Sequence, residues 1–232
     1  MAEQLFEKLE IVIVTYNTPL ELMMCLNSVK LFTRNSRVII VDNGTEPIGQ
    51  LYALKDELIK KVMLPGNIGF CKGVNRGVAE VETEWFGILP ADCMLTEGWE
   101  NRMMYQVPTL ENPGIVSTMC TFTSGNQGIE QKGLYNVTQK VERVILNGAV
   151  MRKKDFLLVG GMDEGFPNKG GNFSDDDLSK RYAKMGFNNY ILNHVIHHNN
   201  ARSYGGRNAR FLKDLQMGAD YFKRKWKEEA GF

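Results

Sequence analysis

The sequence contains carboxylates and histidines at positions suited to bind a ligand or to react with it. Asp42 and Asp92 each follow an apolar run, Asp175–Asp177 form an acidic run, and all three histidines lie within positions 194–198. Carboxylate oxygens and imidazole nitrogens bind divalent cations, and a carboxylate can also take a proton from a reacting hydroxyl. We therefore expect a metal-assisted or acid–base site if the fold brings these distant positions together.

The apolar run Ile11–Val14 indicates how the chain positions polar groups. Its β-branched residues are typical of a strand that is buried on both faces of a parallel sheet. Thr15, Tyr16 and Asn17 follow its carboxyl end, and Thr18 is suited to cap the helix that comes next. Because ligands of open α/β sheets bind beyond the carboxyl ends of the strands, these three tip residues are expected to face a ligand.

The alternation of strand and helix continues over the first hundred residues. Apolar runs predict further strands at 37–41, 61–64 and 85–89. Helical spacing predicts helices at 19–30, 51–60 and 70–80. This order predicts an α/β fold with a Rossmann-like, mostly parallel sheet flanked by helices.

The second half of the chain is less regular. Strands are predicted at 114–119, 144–150 and 189–193, and helices at 98–106, 174–185 and 210–229. Ser174 and Asp177 have the spacing of a helix cap. Two segments rich in Gly and Asn, 121–139 and 167–172, are expected to cover the site and to influence specificity.

Composition narrows the class of protein. The 232 residues are 43% hydrophobic and 24% charged, which is ordinary for a globular protein of one large or two small domains. A formal net charge of +1 gives no global field that would recruit nucleic acid or an anionic membrane. Four scattered cysteines favour a reducing compartment, and neither a signal peptide nor a transmembrane segment is evident. These features predict a cytoplasmic protein.

Seven blocks follow one another along the chain: IVIVTYN, VIIVDNGT, GNIGFCKGVNRG, FGILPAD, LNGAVMRKKDFLLVGGMDEGF, FSDDDLSKRYAKMGF and VIHHNNARS. In this order they closely resemble family-two glycosyltransferases of the GT-A fold, especially a bacterial and phage branch with rhamnosyltransferase-like members. The resemblance covers about residues 9–205. It implies a single domain over 1–232, comprising a nucleotide-sugar-binding half (9–110), an acceptor and catalytic half (111–205) and a C-terminal helical extension (206–232).

The resemblance assigns the nucleotide to the strand tips and to the start of the third helix. Tyr16, between Thr15 and Asn17, would stack on the base, and Asp42 would accept a hydrogen bond from the base or the ribose. The other nucleotide contacts implied are Asn67, Gly69, Asn75 and, through a metal, Asp92. Two other interpretations stay open, in which Asp42 merely caps a turn and Tyr16 is a half-buried rim residue.

The resemblance also implies which residues bind the metal and which residue is the general base. Asp92, the last acid of Pro90-Ala-Asp92, and His197 are expected to bind Mn²⁺ or Mg²⁺, which bridges the diphosphate of the donor. Asp175 would be the general base. Asp177 is assigned to capping the helix. The alternatives are a turn acid at Asp92, a structural histidine at 197, and acids at 175–177 that serve only the helix dipole.

The residues that would bind the acceptor are the least well defined by the sequence. The residues that resemble the acceptor-lining segment of the family are Asn147, Gly148, Asp163 and Glu164. The basic segment Tyr221–Lys227 has two interpretations, a helix packed on the domain or a surface that meets anionic lipid at the inner face of a membrane or a polyanionic acceptor.

The functional expectation is an inverting, metal-assisted transfer of a sugar from a nucleotide-diphosphate donor to a saccharide or another hydroxyl acceptor. Two rivals remain. A sugar nucleotidyltransferase would carry a Gly-rich loop ending in basic residues after the first strand, and this chain lacks it. A non-catalytic nucleotide- or glycan-binding module would account for the reduced Pro90-Ala-Asp92 motif.

Overall fold

The computed structural model describes residues 9–34, 36–46, 56–123, 127–128, 138–199 and 208–229. These ranges contain the strands β1 (Glu10–Thr15), β2 (Arg37–Asp42), β3 (Ile59–Met63), β4 (Trp85–Ile88), β5 (Cys93–Met94), β6 (Pro113–Cys120), β7 (Gln139–Val141), β8 (Ala149–Arg152) and β9 (Asn188–His198). They also contain the helices α1 (Pro19–Phe32), α2 (Phe70–Ala79), α3 (Trp99–Gln106), α4 (Lys153–Leu158), α5 (Ser174–Lys184) and α6 (Ala209–Glu229).

The strands form one sheet in the order β3-β2-β1-β4-β8-β6-β9-β5, and β7 pairs with β9. The neighbours from β3 to β4 are parallel, as are β6 and β9, whereas β8 runs antiparallel to β4 and β6. The predicted mostly parallel sheet flanked by helices is therefore confirmed. In this register Thr15 and Asp42 are direct neighbours, which places the polar tips of β1 and β2 side by side.

Two apolar clusters cover the sheet. Ile13 belongs to one cluster and Val12 to the other, as expected when successive residues of a strand point to opposite faces. Helices α1 and α3 pack in the first cluster, with Trp99 fully buried, and α2, α4 and α5 pack in the second. Both faces are thus closed by helices, and the carboxyl ends of the central strands are left to face a ligand.

Several boundaries differ from the prediction. The proposed helix at 51–60 is wrong from Asp56 onward, where a turn leads into β3, because these residues pair with β2; positions 51–55 lie outside the described residues. The proposed strand at 144–150 begins only at Ala149. Gly148 has a φ of +64°, which breaks the extended run, and the preceding residues leave the sheet to reach the site.

The last strand is longer than predicted, because β9 continues through the histidines to His198. Its final residues pair with β5, a short strand directly after Asp92. This pairing brings the histidine segment to the tip of β4. None of the helices in the described ranges has the length and apolar character that crossing a membrane requires.

Candidate active site

A cavity of about 520 Å³ lies beyond the carboxyl ends of β1, β2 and β4, a size ordinary for a ligand site. The predicted site residues that line it are Thr15, Tyr16, Asn17, Asn67, Asp92, Asn147 and Asp175. Those outside its lining are Asp42, Gly69, Asn75, Gly148, Asp163, Glu164 and His197. The fold therefore brings together half of the predicted residues, taken from both halves of the chain.

The wall formed by β1, β2 and the start of α2 is held by asparagine side chains. Asn43 donates from Nδ2 to the Asn67 Oδ1 and the Gly69 carbonyl, each at 3.2 Å, and its Oδ1 accepts from the Ile68 N–H at 2.9 Å. Asn67 Oδ1 also accepts from the Gly69 N–H at 2.9 Å. Gly69 therefore shapes this wall through its backbone, with a φ of +96° that suits glycine.

The tip of β1 is also held by side-chain hydrogen bonds. Thr15 and Thr18 share a hydrogen bond of 3.0 Å between their hydroxyls, so Thr18 precedes α1 without capping it through its side chain. Asn17 has a φ of +54°; its N–H donates to the Thr45 hydroxyl, and its Oδ1 accepts from the Glu46 N–H. Tyr16, between them, is half-buried at the cavity.

Asp42 lies behind this wall and is fully buried. Its Oδ1 accepts from the Thr45 N–H at 3.1 Å, which is the turn-capping contact of the alternative interpretation. Its Oδ2 has no hydrogen-bond partner among the described residues. A buried carboxylate oxygen without a partner is costly, so this atom is suited to accept a hydrogen bond from a ligand.

Asp92 and His198 form the second element of the cavity. His198 Nε2 lies 3.7 Å from Asp92 Oδ2, and its Nδ1 lies 3.2 Å from the Phe122 carbonyl. If Nδ1 carries the proton that this carbonyl accepts, Nε2 directs a lone pair towards the carboxylate. Two acceptors at this separation fit adjacent ligands of one divalent cation, because metal–ligand bonds of about 2.0–2.2 Å give ligand atoms roughly 3–4 Å apart.

The neighbouring Cys93 sulfur lies within 4.8 Å of the Asp92 and His198 ligand atoms. Burial raises the pKa of Cys93 well above its ordinary value, with the charge of Asp92 adding to the effect. Mn²⁺ and Mg²⁺ prefer oxygen and nitrogen ligands to sulfur, so Cys93 is the least suited of the three groups to hold such a cation. Asp92 and His198 remain as the pair that fits a cation.

His197 is not placed to bind a cation together with Asp92. It precedes His198 in β9, its side chain is exposed, and it is absent from the lining of the cavity. Successive side chains of a strand point to opposite faces, so only one of the two can reach Asp92. The geometry therefore favours His198 over the predicted His197. His194 binds the Thr96 hydroxyl at 2.8 Å, and burial lowers its pKa.

Asp175 faces the cavity from the first turn of α5. Its Oδ2 accepts from the Leu146 N–H at 3.3 Å, and its Oδ1 lies 3.4 Å from the Ser174 hydroxyl. Burial, with a smaller contribution from the negative charge of Asp176, raises the pKa of Asp175 to about 7. A general base works best when its pKa lies close to the operating pH, so this carboxyl group is suited to accept a proton near neutrality.

Ser174 and Asp177 do not form the predicted helix cap. Phe173 stands at the N-cap with a φ of +69°, and Ser174 donates its hydroxyl hydrogen to the Gly171 carbonyl at 2.5 Å. Asp177 is fully buried and bonded to donors from α5 and α6. The local preference of Asp for a helix start is overridden here by tertiary contacts.

Backbone strain is concentrated near the cavity. Of four non-glycine residues with positive φ in the described ranges, Asn17 lines the cavity, Phe173 precedes the helix that bears Asp175, and Phe122 (φ +51°) holds His198 through its carbonyl. Such conformations persist only where surrounding contacts enforce them, and they are frequent at functional sites.

Several predicted ligand contacts instead hold the protein together. Asp163 accepts hydrogen bonds from Tyr221 and Lys225 of α6. Glu164 accepts one from Asn75 at 2.9 Å, and Asn75 also binds both backbone groups of Met162. These contacts account for why the three polar residues lie outside the lining of the cavity.

The two remaining acceptor residues differ. Asn147 lines the cavity, and its Nδ2 donates to the Cys120 sulfur at 3.2 Å. Gly148 is buried, and a Cβ on it would lie 2.9 Å from the Ile196 side chain and 3.2 Å from the Trp99 ring nitrogen. Its role is therefore to permit close packing under Asn147.

Other cavity residues were not singled out from the sequence. Asn43 directly follows Asp42 in the predicted polar tip of the second strand. The alternation of side chains along β9 could have indicated that His198 faces the cavity. Lys169 and Arg210 also line the cavity. Lys169 lies in the Gly/Asn-rich loop, and its carbonyl accepts from the N–H of Phe70 at 2.7 Å. Arg210 lies at the start of α6, and no local pattern connects it with the cavity.

The family and the fold agree with this geometry. The family model described as glycosyl transferase family 2 matches residues 10–159, and the chain belongs to this family. No curated protein sequence matches the chain.

Similar solved structures include GalNAc-T7 with UDP, GalNAc and Mn²⁺ (TM-score 0.69, 12% identity) and S. aureus TarS 1–349 (TM-score 0.65, 13% identity). The alignments cover 84% and 85% of this chain, but only 44% and 62% of those chains. The chain thus shares the GT-A fold of these glycosyltransferases and spans less than two thirds of either.

Proposed function

We propose that this protein transfers a sugar from a nucleotide-diphosphate donor to a hydroxyl acceptor, with inversion at the anomeric carbon and with the assistance of a divalent cation. The observation that carries the proposal is the placement of Asp175 in the same cavity as Asp92 and His198. A carboxyl group with a pKa of about 7 and a pair of groups suited to a cation are the parts that such a reaction requires.

The nucleotide belongs at the wall formed by the tips of β1 and β2. Tyr16 offers an aromatic face, and Asp42 Oδ2 offers a buried acceptor to the base or the ribose. Asn67 and Gly69 shape the neighbouring backbone, and Thr15 and Asn17 complete the wall. Asp175 enters the cavity from α5 and not from this wall, as expected if the two act at different ends of one donor.

The diphosphate belongs beside Asp92 and His198. Either Mn²⁺ or Mg²⁺ bound there would supply positive charge to the departing nucleotide diphosphate. The neighbour GalNAc-T7 was solved with Mn²⁺, and Mn²⁺ is therefore the first ion to test. Asp92 would bind the cation through a carboxylate oxygen and His198 through Nε2. The contact with the Phe122 carbonyl orients the His198 ring before a donor arrives.

Asp175 takes the proton of the acceptor hydroxyl as that oxygen attacks the anomeric carbon. The attack comes from the face opposite the diphosphate, which inverts the configuration. Burial brings the pKa of this carboxyl group near neutrality. Asn147, next to Leu146 whose N–H binds Asp175, is the predicted acceptor contact that lines the cavity.

The proposal also covers the donor, the acceptor and the location of the protein in the cell. The sequence motifs resemble those of a branch with rhamnosyltransferase-like members, and the acceptor is a saccharide or another hydroxyl compound. A cytoplasmic location follows from composition alone, and the exposed basic residues of α6 are suited to contact an anionic membrane or a polyanionic acceptor.

A donor panel tests the proposal. The protein is incubated with UDP-, dTDP- and GDP-sugars, Mn²⁺ and a panel of saccharide acceptors. Release of nucleotide diphosphate is measured, and the anomer of the transferred sugar is read by NMR. We expect turnover of one donor class, inversion, and loss of turnover in Asp92→Asn. Binding of a nucleotide without turnover of any donor would instead identify a non-catalytic binding module.

A further inference from the structure

The C-terminal helix α6 forms part of the cavity at its N-terminal end. Arg210, Phe211 and Asp214 line the cavity together with the loop at 167–172. The Asn168 Nδ2 donates to the Asp214 carbonyl at 2.9 Å, which joins the helix to this loop. The helix is therefore a wall of the site and not an appendage to it.

The middle of α6 lies directly on the same loop at Gly218. This residue is buried, and a Cβ on it would overlap the Asn172 carbonyl and the Asn168 amide. Glycine is a poor helix former, so its presence within a helix is accounted for by the close approach of the two backbones. Any larger side chain at 218 would displace the helix or the loop.

The C-terminal part of α6 binds the helix that bears Asp175. Asp177 of α5 is fully buried, and its Oδ1 accepts from Trp226 Nε1 at 3.1 Å and lies 2.7 Å from Lys225 Nζ. Its Oδ2 accepts from Arg181 at 2.8 Å. A buried carboxylate with this set of donors is stabilising only while the donors stay in place.

Lys225 also bridges α5 to a second segment. Its Nζ lies 2.7 Å from Asp163 Oδ2, and Tyr221 donates to the same oxygen at 3.1 Å. Burial opposes the charge of Lys225, but the hydrogen bonds to Asp163 and Asp177 outweigh it and raise its pKa. One ammonium group thus joins α6, α5 and the loop that follows α4.

We propose that Lys225 and Trp226 are positioning residues, which hold Asp175 at the cavity by fixing Asp177 two positions along α5. The inference rests on the proposed role of Asp175 as the base. Misplacing a catalytic group by about 1 Å can reduce a rate by roughly 100-fold, so a contact remote from the reacting atoms can control turnover.

The test compares Lys225→Met and Trp226→Phe with the control Lys223→Met, which removes an exposed lysine of the same helix. Trp226→Phe keeps an aromatic ring while it removes the N–H donor and part of the ring surface, so it remains informative if Lys225→Met does not fold. Lys225→Arg tests rescue by another cation. The measurements are kcat, KM for the donor, the affinity for UDP and hydrogen exchange of the α5 amides.

We expect Lys225→Met and Trp226→Phe to lose protection in α5 and to reduce kcat by roughly 10- to 100-fold, while the affinity for UDP is unchanged and Lys225→Arg recovers part of kcat. Protection and kcat equal to those of Lys223→Met would overturn the inference. If the wild type turns over no donor, the proposed function fails separately, and protection of α5 alone decides whether α6 positions this helix.

Discussion

The two sides of the cavity are built by different means. The side proposed to bind the nucleotide, called the nucleotide side, consists of the tips of adjacent parallel strands, joined by hydrogen bonds of Asn43 and Asn17 to neighbouring loops. The side proposed to carry the reaction, called the catalytic side, depends on segments far apart in the chain, such as the contact of His198 with Asp92 and that of Trp226 with Asp177. The first arrangement follows from the sheet itself, and the second requires the completed fold.

This difference has a functional consequence. Groups on the nucleotide side should control affinity for the donor, because they form one wall of a preformed sheet edge. Groups on the catalytic side should control turnover, because their placement depends on α5 and α6. Substitutions on the two sides should therefore separate binding from rate.

The largest effect is expected on the catalytic side. Asp175→Asn removes the proposed base and should reduce transfer by at least roughly 10²-fold. Binding of UDP should be unchanged, because Asp175 faces the cavity from α5 and not from the nucleotide wall. Unchanged turnover in steady-state assays would exclude Asp175 as the base.

For Asp42→Asn we expect a smaller effect, which falls on nucleotide binding and not on turnover. The unpartnered Oδ2 becomes an amide that cannot accept from the nucleoside, so the affinity for UDP should fall by roughly 10- to 100-fold while kcat at saturation is retained. The control is Asp56→Asn, since Asp56 also accepts a backbone hydrogen bond in a turn but is exposed. Equal UDP affinities in calorimetry of both variants would leave Asp42 as a turn cap only.

The smallest effect concerns the pH dependence of turnover. Asp175 must be ionised to accept a proton, so kcat should fall as the pH drops through about 7. The charge of Asp176 raises the pKa of Asp175 and that of Arg143 lowers it. Asp176→Asn should therefore shift the acidic limb to lower pH, and Arg143→Met should shift it to higher pH.

The Arg143 effect should be the weaker of the two, because its side chain is 45% exposed and its charge is screened by solvent. Profiles of kcat against pH for the three proteins provide the measurement. A shift in the same direction for both variants would mean that the limb reports a group other than Asp175.

Part of the nucleotide side could be predicted from the sequence. A buried β-branched run and the polar residues after it define a strand and its tip locally, and Thr15, Tyr16, Asn17 and Asn67 all line the cavity as anticipated. The choice between His197 and His198 could not be made locally, because a change of one position in a strand reverses the face to which a side chain points.

The roles of the aspartates around α5 were also beyond a local interpretation. Asp163 resembles an acceptor contact and Asp177 a helix cap, yet both carboxylates bind Lys225, which is far away in the chain. Helix-cap preferences describe what a residue can do near its own position. They do not reveal a donor supplied by another helix.

The most direct test of the account is whether metal and nucleotide bind together at Asp92 and His198. UDP is titrated into wild type, His198→Ala and His197→Ala, each with and without Mn²⁺. We expect Mn²⁺ to tighten UDP binding in wild type and in His197→Ala, and we expect His198→Ala to lose this coupling. Coupling that survives in His198→Ala but is lost in His197→Ala, or its absence from the wild type, would contradict this expectation.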